Sequence, residues 1–279
     1  MPQTSYGDIS PRTAAFADRN LLTRAQPFLT IDKFCQTRPI PKGETNAIKF
    51  RRYEALALAT TALVEGVTPS GKKMTHTDIT ATLAQYGDLI QLTDLIEDTH
   101  EDPVLKQATD VLGEQAAQTL ETIKYNIIKA GTNVFYSNGT ARASVNTVVT
   151  RATIRAVTKA LQRQNARLIT QVLKSSPRYD THNVEPAYFG VCHTDVESDI
   201  RDMTGFIPSS QYGTESPMEN EIGAVEHVRF IKSTIFTAFA SAGGAKGTME
   251  STDGVSADVY PILIFGRDAA APVPFQGKG

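Results

Sequence analysis

Three stretches of this 279-residue chain hold residue types that do chemistry. Gly66 to Lys72 reads G-V-T-P-S-G-K, the spacing of a phosphate-binding loop up to its lysine. The next residue is Lys73, where such a loop needs Ser or Thr to hold magnesium. MTHTDITATL then has strand character, whereas a phosphate loop must open a helix whose N–H groups face the anion. A turn between two strands explains the same residues. Cys192-His193, followed by Asp195, Glu197 and Asp199, has the composition of a thiol nucleophile or a metal site. Adjacent side chains point in different directions on a helix or strand, so this spacing does not make a nucleophile and base. Thr194 or Asp195 reads better as the cap of a helix over VESDIRDM. His100-Glu101-Asp102 falls at a helix entry, where acidic side chains complement the dipole. His76, His182 and His227 carry no ligand spacing, and two cysteines, Cys35 and Cys192, make neither a disulfide framework nor a thiol zinc site. No catalytic residue, metal or cofactor is expected, and the two cysteines fit a reducing compartment.

Charge is the stronger signal. From Arg38 to Lys73 there are seven basic residues (Arg38, Lys42, Lys49, Arg51, Arg52, Lys72, Lys73) against three acidic ones. From Asp88 to Asp102 there are six acidic residues, Asp94, Glu97 and Asp98 among them, and no Lys or Arg. A basic arm and an acidic platform on one chain would attract each other between copies, a head-to-tail contact that propagates into a ring or shell; ordinary solvated surface is the plainer alternative. Arg51, Arg52, Tyr53, Lys72 and Lys73 are the candidate contacts on the arm. A second basic feature is the recurrence Arg151, Arg155, Lys159, Arg163, Arg167, a band that contacts polyanion or an acidic neighbour, or is a solvated helix face.

These residues must be positioned by a few long elements. Residues 46 to 58 and 75 to 93 lean toward strand, Ile48 and Phe50 alternating with Lys49, Arg51 and Tyr53, and Ile79, Ala81 and Leu83 alternating with polar neighbours. The breakers Gly66, Pro69 and Gly71 between them predict the tip of a long β-hairpin, which has little core of its own to bury. At Asp102-Pro103 the period changes abruptly. Val104 to about Ala130 reads as one amphipathic helix whose apolar side is Leu105, Ala108, Leu112, Ala116, Ile123, Ile127 and Ala130, with Asp102 as cap, Pro103 at the first turn and Gly131 as its end. A second helix is expected from about Val145 to Leu173, with Ala152, Ala156, Val157, Ala160, Leu161, Leu168 and Ile169 on its apolar face. Ser175 to Val184 reads as a connector, Pro186 to His193 as a short buried strand and Pro208 to Asn220 as a polar loop. Glu226 to Ile235 and Val259 to Phe265 read as strands around a glycine-rich surface loop, Ser241 to Gly254.

Composition bounds the rest. With 41% hydrophobic and 21% charged residues the chain is ample for one large domain or two interleaved ones, and a net charge of -2 argues against a surface that binds nucleic acid throughout. No run of about 18 apolar residues and no secretory leader is seen, so a soluble, intracellular product without membrane contact is expected.

The strings MPQTSYGDISPRTAAFA, KFRRYEALALATTALVEGVTP, QYGDLIQLTDLIEDTHEDPVL, LGEQAAQTLETIKYNIIKAGTNVFYSNGT and DIRDMTGFIP closely resemble, in collinear order up to about Arg267, the major capsid proteins of tailed bacteriophages of the phage-N4 type. The resemblance implies an α+β fold of the Hong Kong 97 capsid type. Residues 1–45 would be the amino-terminal arm and 46–85 the extended hairpin, or E-loop, laid over neighbouring subunits. Residues 86–144 would form the peripheral domain with its spine helix at 103–130, 145–222 the axial domain, and 223–279 the returning strands. Members of that type continue for some tens of residues beyond the PILIFGRD strand, so either a truncated form or the absence of the final strands is expected here. The implied function is a self-assembling structural subunit of the icosahedral head around viral double-stranded DNA, located in the virion and assembled in the bacterial cytoplasm. Implied partners are further copies in hexameric and pentameric capsomers, with scaffold, portal and cement proteins and non-specifically held DNA. An encapsulin-type compartment filled with protein cargo is the alternative use of the same fold.

Overall fold

The computed structural model describes residues 29–41, 43, 45–91, 104–173, 181–212 and 217–274. The chain divides into two compact units, one of Met1–Gln36 and Asp88–Ala270, the other of Thr37–Gly87 and Ala271–Gly279.

The smaller unit is built on a hairpin of β1 (Ala47–Tyr53) and β2 (His76–Thr82), antiparallel in the register Ala47↔Thr82 to Tyr53↔His76. Its pairing repeats every two residues, so Ile48↔Ala81 and Phe50↔Ile79 share one face while Lys49↔Thr80 and Arg51↔Asp78 share the other. One bond extends the ladder at each end, Glu54 N–H to the Thr75 carbonyl and Leu83 N–H to that of Asn46. Both strands are shorter than 46–58 and 75–93. Beyond Tyr53 the run Ala55-Leu56-Ala57-Leu58-Ala59 offers few β-branched or aromatic side chains to pair across the ladder. Next to the hairpin, Arg38 and Ile40 donate their N–H groups to the carbonyls of Pro272 and Pro274. This ladder is one-sided, because Pro272 and Pro274 have no N–H to return.

In the larger unit a mixed sheet runs β3-β4-β7-β6-β5, with β8 also paired to β4. The strands are β3 (Ile169–Leu173), β4 (Thr181–His193), β5 (Ile207–Pro208), β6 (Glu221–Val225), β7 (Val228–Ser233) and β8 (Leu263–Phe265). β4 pairs antiparallel with β3 through its first half and parallel with β7 through its second. Alternation along β4 and β7 divides the core. Phe189, Val191 and Ile231 meet Ile31, Phe34, Tyr125 and Phe236 on one face; Tyr188, Cys192, Val228 and Phe230 meet Ile154, Val196 and Ile200 on the other. A sheet buried on both faces needs a continuous apolar run, which Ala187 to Cys192 provides. Gly190 is part of it because a Cβ there would stand 2.9 Å from two ring carbons of Phe230.

Helix α1 (Val104–Lys129) covers the first face and spans about 39 Å at 1.5 Å per residue. Its extent matches the expectation, but its orientation does not. The buried ridge is Gly113, Ala117, Glu121 and Tyr125, whereas Ala116 and Ile127 of the expected inner side are exposed. Small residues at 113 and 117 allow close approach, Tyr125 fills the core and donates its hydroxyl to the Thr237 carbonyl at 2.7 Å, and Glu121 finds backbone partners in a 3-10 turn, Ile31–Phe34, and the residue before it. The proposed cap, Asp102-Pro103, and His100 lie outside the described residues.

The second helix is also corrected. α2 spans Arg151–Arg163, not 145 to 173: Thr150 accepts the Thr153 N–H at its start, Asn165 takes φ +55° just past its end, and the β-branched Ile169, Thr170 and Val172 then enter β3. The expected cap near Thr194 is absent. A 3-10 turn, Thr194–Val196, begins instead with His193 Nδ1 accepting the Asp195 N–H, and leads into α3 (Glu197–Arg201). β4 begins at Thr181, inside the expected connector, and β6 lies at the edge of the expected polar loop. Glu226 and His227, expected within a strand, form the tight turn between β6 and β7 with φ +50° and +64°.

Candidate assembly surface

The basic band divides between two tasks. Arg151 Nε and Arg155 Nη2 converge on one oxygen of Glu226, at 2.5 and 2.7 Å. Arg155, then Arg151, holds the Glu226 carboxyl down to about 2. That pairing pins the β6–β7 turn to α2, and the sequence hides it because the partners are 75 and 71 residues apart. Lys159 and Arg163 stand exposed farther along α2. Arg167 has left the helix; its carbonyl accepts the N–H of Arg267 at 2.9 Å.

The arm residues divide in the same way. Arg51 forks Asp78 on the opposite strand at 2.8 and 3.0 Å, which depresses the Asp78 carboxyl, and Lys49 stands 4.0 Å from the same side chain. Lys72 donates to the Ala57 carbonyl at 2.7 Å and holds the two sides of the tip together. Tyr53 leans on His76, its cross-strand partner, at 6.1 Å. Arg52 and Lys73 are exposed. Of the acidic stretch, Asp88 accepts from Gln115 and the Leu89 N–H, whereas Asp94, Glu97 and Asp98 lie outside the described residues.

Between β1 and β2, residues 54–75 are exposed throughout and pass without regular structure through a turn at Gly66, φ +80°. No helix follows Lys72, so the anion-binding geometry of a phosphate loop is missing there. What the tip presents is apolar: Leu58 is 86% and Leu63 77% exposed, with Val64 and Val67 beside them. In the larger unit a second apolar surface faces outward. Ala116, Leu120, Ile123 and Ile127 fall within about 60° of one another on α1 and about 110° around it from the buried ridge. Ile127 is 70% exposed.

The chemistry-bearing residues settle into structural roles. Cys192 is fully buried, its thiol lies 3.6 Å from the Ile231 carbonyl, and burial pushes it up to about 12, far from a thiolate at neutral pH. His193 points away from it and lies over the Tyr260 ring at 5.4 Å, while Tyr260 donates to Asp195 at 2.7 Å. A cavity of about 480 Å³ in the larger unit is walled by Val134, Phe135, Val149, Val157 and Phe239, and no Cys or His lines it. Among the described residues no three His, Cys, Asp or Glu side chains are grouped to hold a metal.

The family model described as phage capsid protein matches residues 76–261, from the first residue of β2 to just before β8. No curated protein sequence matches the chain. Among solved structures, the capsid of Ralstonia phage GP4 is similar at a TM-score of 0.59 and 13% identity over 87% of this chain and 76% of that one. The capsid structure of the cyanophage P-SCSP1u is similar at a TM-score of 0.50 and 11% identity, over 89% and 88% of the two chains. At such identities the likeness is one of fold, the mixed α+β capsid fold of the Hong Kong 97 type. Matched over more than half its length, the chain belongs to the phage capsid protein family and is a structural protein of the phage head.

Proposed function

We propose that copies of this chain assemble into the capsomers of an icosahedral head that encloses double-stranded DNA, each copy laying its hairpin over the next. The observation that carries this is the tip at 54–75, where Leu58, Leu63, Val64 and Val67 are left in water by their own unit. An isolated two-stranded hairpin is marginal in water, and a neighbour's surface removes both costs at once. The outward stripe of α1, Ala116 to Ile127, is the apolar surface that receives it. In this reading 1–45 is the arm, 46–85 the E-loop, 86–144 the peripheral domain with α1 as its spine, 145–222 the axial domain, and 223–279 the returning strands. Arg52 and Lys73 are the arm charges available to the acidic stretch ending at Asp102. Lys159 and Arg163, with Arg167, are the cations available to packaged phosphate or to a neighbour. Assembly in the bacterial cytoplasm, with scaffold, portal and cement proteins of the same phage, completes the proposal. The phage family match favours a virion head over a protein-cargo compartment. Among the described residues no helix is long and apolar enough to cross a membrane.

Negative-stain electron microscopy tests it on the chain expressed with its neighbouring phage genes. The wild type is expected to give closed shells or curved sheets of capsomers. Leu58→Ser with Leu63→Ser is expected to keep its circular dichroism and melting temperature and lose the shells. Shells from the variant at wild-type yield overturn the role of the tip; monomers alone from the wild type overturn the assembly.

A further inference from the structure

The larger unit keeps one carboxylate in its interior with half of its hydrogen-bonding capacity unmet. Glu121 is fully buried on the inner ridge of α1. Its Oε1 accepts the backbone N–H groups of Thr30 and Ile31 at 2.9 and 2.8 Å, while its Oε2 is buried without a hydrogen-bond partner. The bonds join positions about ninety residues apart and hold the start of the 3-10 turn Ile31–Phe34 against the helix, so that Ile31 and Phe34 enter the core beside Tyr125 and Phe189. A second oxygen, Oδ1 of Asp32, is also buried and unpartnered, although its other oxygen pairs with Lys124 at 2.5 Å. The two unmet oxygens are both acceptors, so the site is short of a donor, and a proton on Glu121 is the donor that the carboxyl itself can carry.

We propose that Glu121 is a proton-operated clasp that holds the chain at Thr30 and Ile31 firmly against α1 when its carboxyl is neutral and loosens when it is ionised. The charges around it come from each neighbouring element. Asp32, Lys33 and Cys35 stand on or beside the 3-10 turn, Lys124 on the helix itself, and Glu219, 3.7 Å from Lys33, before β6. Burial raises the proton affinity of Glu121 and the Asp32 charge adds to it; the two backbone N–H groups and Lys124 oppose them, and the balance remains a raised pKa. In the opened clasp the carboxyl meets water and titrates near the ordinary value, about 4.3. Closure is therefore strongest below that value, weakens as pH rises through the raised value of the closed state, and is level above it.

Amide hydrogen exchange on the full chain from pH 4 to pH 8 reads this directly, each rate corrected for the intrinsic pH dependence of exchange. The protection of the Thr30 and Ile31 amides is expected to fall with rising pH, by up to tenfold per unit within the titration window, and then to level. Amides in α2, which packs in the core on the other face of the sheet, serve as the internal reference. Glu121→Gln keeps the accepting oxygen and adds a permanent donor, so it should hold high protection with no pH dependence. Pure structural anchoring predicts a flat profile in the wild type, and that result overturns the proposal without any variant. A sloped profile that persists in a folded Glu121→Gln protein overturns it equally.

Discussion

Glu221→Ala should be among the most damaging single substitutions in the larger unit. Glu221 and Arg229 form a fork across the β6–β7 pair at 2.6 and 2.9 Å, with side chains 0% and 5% exposed, and Glu221 also accepts the Met218 N–H at 2.8 Å. Truncation breaks a buried, doubly hydrogen-bonded ion pair, which costs about 3–5 kcal/mol. The rings of Phe189 and Tyr212, 5.5 and 5.0 Å from the guanidinium, hold it in wild type and variant alike, so their attraction does not enter the difference. The loss expected is at least ~3 kcal/mol, about 150-fold in the folding equilibrium at 1.4 kcal/mol per tenfold. Urea unfolding of Glu221→Ala, Arg229→Met and the double variant measures it. The double variant should lose less than the sum of the two singles, because either single already breaks the fork. A loss below about 1 kcal/mol for Glu221→Ala, or a double variant equal to the sum of the singles, would refute the reasoning.

Gly190→Ala forces a methyl to within 2.9 Å of the Phe230 ring and should cost about 1–3 kcal/mol in thermal or urea unfolding, against near-neutrality if the ring simply turns away. The Glu226 carboxyl, held down to about 2 by Arg155 and Arg151, stabilises the fold fully above the ordinary glutamate value of about 4.3 and loses that contribution as pH falls toward 2. The stability gap between wild type and Glu226→Gln should accordingly be constant above pH 5 and close toward pH 2; a gap independent of pH would assign the effect to something other than the ion pair.

Much of the hairpin was readable from residue order, since Ile48 and Phe50 alternate with charged neighbours and Gly66, Pro69 and Gly71 mark its tip. The length of α1 was readable too, but its inner face was not. The usual inference sends the richest apolar stripe inward, and here Ala116 and Ile127 of that stripe are exposed while a ridge containing a carboxylate is buried. Nothing near Glu121 in the chain announces its partners, which come from Thr30 and Ile31. The regular spacing from Arg151 to Arg167 masked the end of α2, because a four-residue repeat continues on paper past Asn165, where the backbone has already turned left-handed. The Glu226-His227 turn lacks the Gly or Asn that normally marks one, and depends on the distant arginines instead. β6 is not legible in the sequence because Gly223 interrupts its apolar run, where the Ile207 carbonyl and the Phe206 ring pack against the bare backbone.

The proline spacing beside the hairpin has a consequence for how safely such a chain accumulates. Arg38 and Ile40 spend their N–H groups on Pro272 and Pro274, and the intervening positions, whose N–H groups would face the other way, are Pro39 and Pro41. An incoming strand at that outer margin meets carbonyls and no donors at 39 and 41, so it cannot zip on. A protein made in large numbers and crowded against itself is thereby shielded, along this margin, from growing into fibrils. Association there is left to the side chains, which have geometry to satisfy, rather than to the backbone, which would accept any strand.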